Sequence, residues 1–191
     1  ITSMIALLPA ALGQGTMAQS MRVVVASDQS AVPVSTPNTR VIRVVPTVSA
    51  SPDYSIDDVI GGKMVLTDIA RVTGGGGILN SVLMTSEVDI PAGVTVDVIF
   101  FDTDPTNSTF TDNSGIALNV ADIPYMLPGV AQLAARIDLG TPAALVAHNL
   151  GIPMDTLSTD DLWAVAIIRG AATLNLAATD DIQFVFGFLP D

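Results

Sequence analysis

The stretch VTVDVIFFD, residues 94–102, decides the fold class. Successive side chains of an extended chain point to opposite sides, so Val94, Val96 and Val98 share one face while Thr95 and Asp97 share the other. That is the pattern of a half-buried strand. The turn sequence DIPAG (89–93) precedes it. Working outward, KMVLTDIARV (63–72) and ILNSVLMTSEV (78–88) lie before it, and LWAVAIIRG (162–170), AATLNLAAT (171–179) and DIQFVFGFLP (181–190) lie after it. All have strand length and composition and are parted by Gly- or Asp-containing turns. LNVADIPYMLPG (118–129) predicts one short helix, capped by Asn119 and stopped before Pro128. VAQLAARIDLG (130–140) is open between helix and strand. Eight or nine strands without alternating helices predict an all-β fold, an antiparallel β-sandwich of jelly-roll type, over residues 51–191.

Composition agrees. The 191 residues are 49% hydrophobic and only 14% charged, with 19 acids against 7 bases and a net charge of −12. All the acids but Glu87 are Asp, which favours turns and caps over helix interiors, and Lys63 is the sole lysine. Such acidity opposes nucleic-acid binding, which needs clustered bases to displace counterions, and docking on anionic lipid. No apolar run is long enough for a membrane span, and MIALLPAAL (4–12) lacks the positive flank of a signal peptide. Without cysteine, disulfides and thiolate metal sites are excluded.

Residues 1–50 read differently. MRVVVA (21–26) and RVIRVVPTV (40–48) are extended and apolar, and four prolines, Pro33, Pro37, Pro46 and Pro52, crowd residues 31–52. Proline removes a ladder donor, so these pieces suit edge strands or an arm laid on a partner. Within that arm the candidate partner-binding residues are Met17, Ser20, Arg22, Val24, Asp28, Gln29, Ser30, Arg40 and Arg43. Three of the seven bases, Arg22, Arg40 and Arg43, fall there, set to pair with acids on another chain or to keep an edge strand from aggregating.

Catalytic chemistry finds little support. A nucleophile needs a base beside it, and His148 is the one imidazole, set in an apolar run. No serine sits in a G-x-S-x-G elbow. The pairs Asp57-Asp58, Asp160-Asp161 and Asp180-Asp181 each abut a strand start, where polar turns belong. Four glycines, 74–77, suit a hairpin tip or a close backbone approach, and no Gly-Lys-Ser/Thr follows them to make a phosphate loop. The loop 102–115 offers hard oxygen ligands in Asp102, Asp104 and Asp112, a candidate Ca²⁺ set that lacks EF-hand spacing and a closing Glu. Asn107-Ser108-Thr109 matches the glycosylation sequon by chance. Trp163, Tyr54 and Tyr125 are the aromatics on which a sugar would stack, with Trp163 in an apolar strand that suggests the core. No enzyme activity and no cofactor is expected.

Two segments resemble tailed-bacteriophage virion structural proteins. LPAALGQGTMAQSMRVVVASDQSAVPVS (8–35) is similar to a recurring arm, through Gly15, Thr16, Met17, Ala18, Ser20, Val23, Val25, Ala26-Ser27-Asp28-Gln29-Ser30 and Val32-Pro33-Val34. Met21-Arg22 departs from the Leu-Pro more usual there. Residues 54–118 resemble a β-sandwich domain of such proteins through DVIGG, the Gly-rich run and FDTDPT…TFTDN. The resemblance implies a capsid decoration (cement) protein on the outer surface of the virion head. Its partners would be the major capsid protein and, in a homotrimer, itself, with no nucleic acid or membrane. A tail or fibre-base component is the second reading, and a carbohydrate- or host-binding module the third.

Overall fold

The computed structural model describes residues 39–170 and 172–191. Nine strands run in order: β1 (Arg40–Val44), β2 (Val59–Leu66), β3 (Gly76–Ser86), β4 (Val96–Phe101), β5 (Met126–Leu133), β6 (Ala135–Asp138), β7 (Ala143–Asp155), β8 (Leu162–Ile168) and β9 (Ile182–Pro190). Their pairing is nested and antiparallel throughout: β1 with β9, β2 with β8, β3 with β7 and β4 with β5. The chain is thus one long ribbon wrapped on itself. Successive pairs fall alternately into two sheets, β1-β9-β3-β7-β6 and β2-β8-β4-β5. This is the strand order of a jelly roll, with β6 added at one edge, so the all-β antiparallel sandwich holds.

Between the sheets lies one core. Along β9 the alternating Phe184, Phe186 and Phe188 point inward in a stacked row, and Phe100 of β4 meets Phe186 edge-on at 6.2 Å. Leu79, Val82 and Met84 of β3 face Val96 and Val98 of β4 within the same cluster. The half-buried pattern expected of β4 holds only in its first half. Ile99 and Phe101 point to the opposite face, where they form a second small cluster with Val59, Val165 and Ile167. Phe110, Ile116 and Leu118 from the loop after β4 lie over that cluster, so the end of β4 is buried on both sides.

Several expectations need correction. Residues 172–179 form no strand; Leu174 makes only an isolated bridge to Tyr54. The helix expected in 118–129 is a single 3-10 turn, Ile123–Tyr125, and Asn119 caps a tighter turn through its side chain to the amide of Ala121 (2.9 Å). The chain then runs extended through Pro128, which the exposed edge strand β5 tolerates. Within 130–140 the chain is the end of β5, to Leu133, and then β6, Ala135–Asp138, with no helix. The sandwich also begins before residue 51: Arg40–Val44, placed in the arm on sequence, is β1 and pairs with β9 in the five-stranded sheet. The glycine run is a close approach rather than a free tip. A Cβ on Gly76 would sit 2.8 Å from the carbonyl oxygen of Met154, and one on Gly77 2.7 Å from that of Leu189.

Candidate functional site

The loop that follows β4 holds the three carboxylates considered for a cation, and it sends each to a different neighbourhood. Asp112 is a hub. Its Oδ1 accepts from the Tyr54 hydroxyl and the Gly61 amide, both at 2.6 Å, and its Oδ2 accepts from Ser49 Oγ at 2.6 Å. The Tyr54 hydroxyl in turn accepts from the Ser49 amide at 2.8 Å. Burial of the ring, reinforced by the adjacent Asp112 carboxylate, pushes the Tyr54 phenol above its ordinary range. The hub ties three segments together: the strap 46–54, the Gly61-Gly62 bulge in β2 and the loop itself. Asp104 pairs with Lys63. Asp102 stands at the end of β4 with a buried Oδ1 that has no hydrogen-bond partner. Desolvation, with a smaller push from Asp155, raises its carboxyl above the usual range. Among the described residues no three His, Asp or Glu side chains gather as a metal-ligating group.

Several other acids serve turns and ion pairs. Asp58 accepts from the Ser55 amide (2.7 Å), Asp161 from the Asp68 amide (3.1 Å) and Asp181 from the Ala177 and Ala178 amides (2.5 and 2.8 Å). Fully buried Asp122 accepts from Asn107 Nδ2 (2.8 Å) and Ser108 Oγ (2.6 Å). Burial there favours the neutral form, but those hydrogen bonds outweigh it and hold the carboxyl below its usual range. Sequence gave no signal for this, because the two partners are separated from Asp122 by a whole loop.

The aromatic and imidazole candidates scatter. Tyr54 is buried with its hydroxyl engaged. Trp163 is not in the main core, as its apolar strand suggested, but half-buried against the small outer cluster. Tyr125 is exposed beside Ile123 and Val120. His148 is exposed on β7, its ring nitrogen 3.0 Å from Asn149 Nδ2.

Of the arm candidates, Met17, Ser20, Arg22, Val24, Asp28, Gln29 and Ser30 lie outside the described residues. Arg40 and Arg43 lie on β1, the outermost strand of the five-stranded sheet. Arg40 donates to the Asp68 carbonyl. Arg43 is exposed, with no ion pair among the described residues.

Register defines a surface that sequence alone did not mark. Row by row, the outward positions of the five-stranded sheet read Arg43, Val185, Leu83, Val146 and Ala135, flanked by Val41, Gly187, Ser81 and His148 on one side and Gln183, Thr85, Ala144 and Ile137 on the other. In a chain carrying 19 acids, these rows hold no carboxylate. The acids stand at one margin instead, where Glu87, Asp180 and Asp181 join Val45, Leu139 and Pro142 in an open groove of about 740 Å³.

No protein-family model matches the chain, and no curated protein sequence does. Among solved structures, a chain from the empty head of turnip yellow mosaic virus aligns with 81% of this chain and 93% of its own length, at 14% identity and a TM-score of 0.13. That score is too low to count as a likeness of fold.

Proposed function

We propose that this protein is a capsid decoration protein of a tailed bacteriophage, docking on the outside of the head and stabilising it through subunit contacts. The observation that carries the reading is the outer face of the five-stranded sheet, whose three central rows hold no carboxylate. Apolar side chains, Leu83, Val146 and Val185, fill its middle and remain half-buried, while Val41 and Ile137 near its two edges are 51% and 43% exposed. A strongly acidic protein that clears acids from the middle of one sheet face has a surface suited to burial against another protein. The reading is further supported by the resemblance of residues 8–35 and 54–118 to virion structural proteins. Each copy needs only a modest interface, because contacts repeated over a capsid add up.

Copy number tests it directly. Quantitative densitometry of purified particles is expected to give hundreds of copies per head. A dozen or fewer would overturn the head location and place the chain on the tail or at a fibre base. Binding by a glycan array with no binding to bare heads would replace both with a carbohydrate-binding role.

A further inference from the structure

We propose that the open edge of β1, together with the acidic groove at its end, receives residues 22–26 (RVVVA) of a second copy as an added antiparallel strand. The sandwich has four sheet edges, and three are closed against pairing. The edge strand β5 contains Pro128. The edge strand β6 is four residues long, and its Arg136 is held by Asp89, Asp138 and the Ile90 carbonyl. The edge strand β2 is bulged at Gly61-Gly62, and its start is already paired by the loop, the Val59 amide donating to the Ser114 carbonyl and the Asn113 amide to the Val59 carbonyl. The remaining edge strand, β1, is regular along its length, with neither proline nor glycine, and no described residue pairs its outer side. Such an edge is a ready template for another strand.

Packing and charge choose the guest. Ile42 and Val44 point toward the core and touch it, yet stay only partly buried at the sheet edge, where no described residue pairs with β1 on its outer side. An incoming strand with apolar residues at alternate positions would finish that row. Beyond the end of β1, Val45 is 53% exposed and opens onto the groove, where Glu87 and Asp180 are exposed and have no ion pair among the described residues. The groove therefore suits a base. Of the seven bases, Lys63, Arg136 and Arg169 are spent on acids of their own domain, Arg40 on a carbonyl, and Arg71 is also engaged. Arg43 projects from β1 itself, which leaves Arg22.

One register satisfies all of this. With Arg22 opposite Val45 and the strands antiparallel, Val23 and Val25 fall opposite Val44 and Ile42 and extend the core-facing row. Arg22 then lies on the outer side, at the mouth of the groove that Val45, Glu87 and Asp180 line. Arg43 faces Val24, so no two arginines stand opposite one another. The pairing needs no capsid, and it stands or falls separately from the decoration role.

Sedimentation of the purified full chain over a concentration series tests it. The wild type is expected to self-associate. Arg22→Glu alone and Glu87→Lys/Asp180→Lys together should each weaken association at least tenfold without changing thermal unfolding. Mixing the two variants should restore association, because the new acid of one chain meets the new lysines of the other. Val24→Pro, which deletes a ladder N–H, should weaken it likewise. A monomeric wild type, variants that associate like the wild type, or rescue only when all three charge changes share one chain would overturn the proposal. The last result would mean that the segment pairs within its own chain.

Discussion

Asp112 accepts from Ser49, Tyr54 and the Gly61 amide, so removing its carboxylate strands three donors at once. Asp112→Ala should cost about 2–3 kcal/mol in urea unfolding, and Tyr54→Phe, which removes a single hydroxyl, about 1 kcal/mol. Tyr54 also sets an alkaline limit. Its folded-state pKa is raised, so its contribution is fully present below the ordinary phenol value of about 10 and is lost as pH rises above it. Tyr54→Phe should flatten that decline in a melting-temperature profile. Asp102 and Asp122 pull the acid side in opposite directions. Asp102 is raised, so its ionisation costs stability as pH climbs through the carboxylate range. Asp102→Asn should therefore raise the melting temperature at pH 7 and give no gain near pH 3. Asp122 is lowered, so its contribution is present above the ordinary carboxylate value and fades as pH falls through its own. Asp122→Asn should destabilise at pH 7, with the gap closing in acid. None of these roles was visible in sequence. An Asp in a polar loop looks the same whether it caps a turn, anchors a hub or stands without a partner.

At the scale of elements, strands with plain alternation were legible and those with interruptions were not. β9 keeps strict alternation and was read almost to the residue. β7 was missed because Asn149 and Gly151 adopt left-handed backbone inside it, and the resulting irregularity breaks the period of two. The run Ile99-Phe100-Phe101 carried the one sequence hint that a loop covers this sheet, since a continuous apolar run marks burial on both faces. Phe110 supplies part of that cover. Phe110→Ala should cost about 2 kcal/mol and shift Trp163 fluorescence to the red, since both residues belong to the same outer cluster. The DVIGG turn shows why glycine sits there. Gly61 has φ +68°, and a Cβ on it would lie 2.2 Å from Pro46 Cβ. Gly61→Ala should cost at least about 2 kcal/mol, because the strap carrying Pro46 and Ser49 would have to lift and release the Asp112 hub.

For the whole molecule, strand count and the lack of alternating helices were enough to predict a sandwich of jelly-roll type. The nested pairing that makes it one is long-range, and no local pattern carries it. The same holds for the carboxylate-free rows of the outer face, whose residues come from five strands spread between Val41 and Gly187 and meet only in register. A test of that face must separate docking from folding. Leu83 and Val185 stand opposite one another on it, both half-buried and pointing away from the core. Val65→Glu is the control, since Val65 is 44% exposed on β2 in the other sheet. All three variants place one new charge on an outer sheet surface, so each should fold and melt within a few degrees of the wild type. If the five-stranded face is what meets the capsid, Leu83→Glu and Val185→Glu should lower occupancy on bare heads more than tenfold while Val65→Glu leaves it unchanged, because a buried unpaired carboxylate is costly only where the surface is actually covered. Equal losses for all three would point to general acidity rather than a docking face. A loss confined to Val65→Glu would move the contact to the opposite sheet.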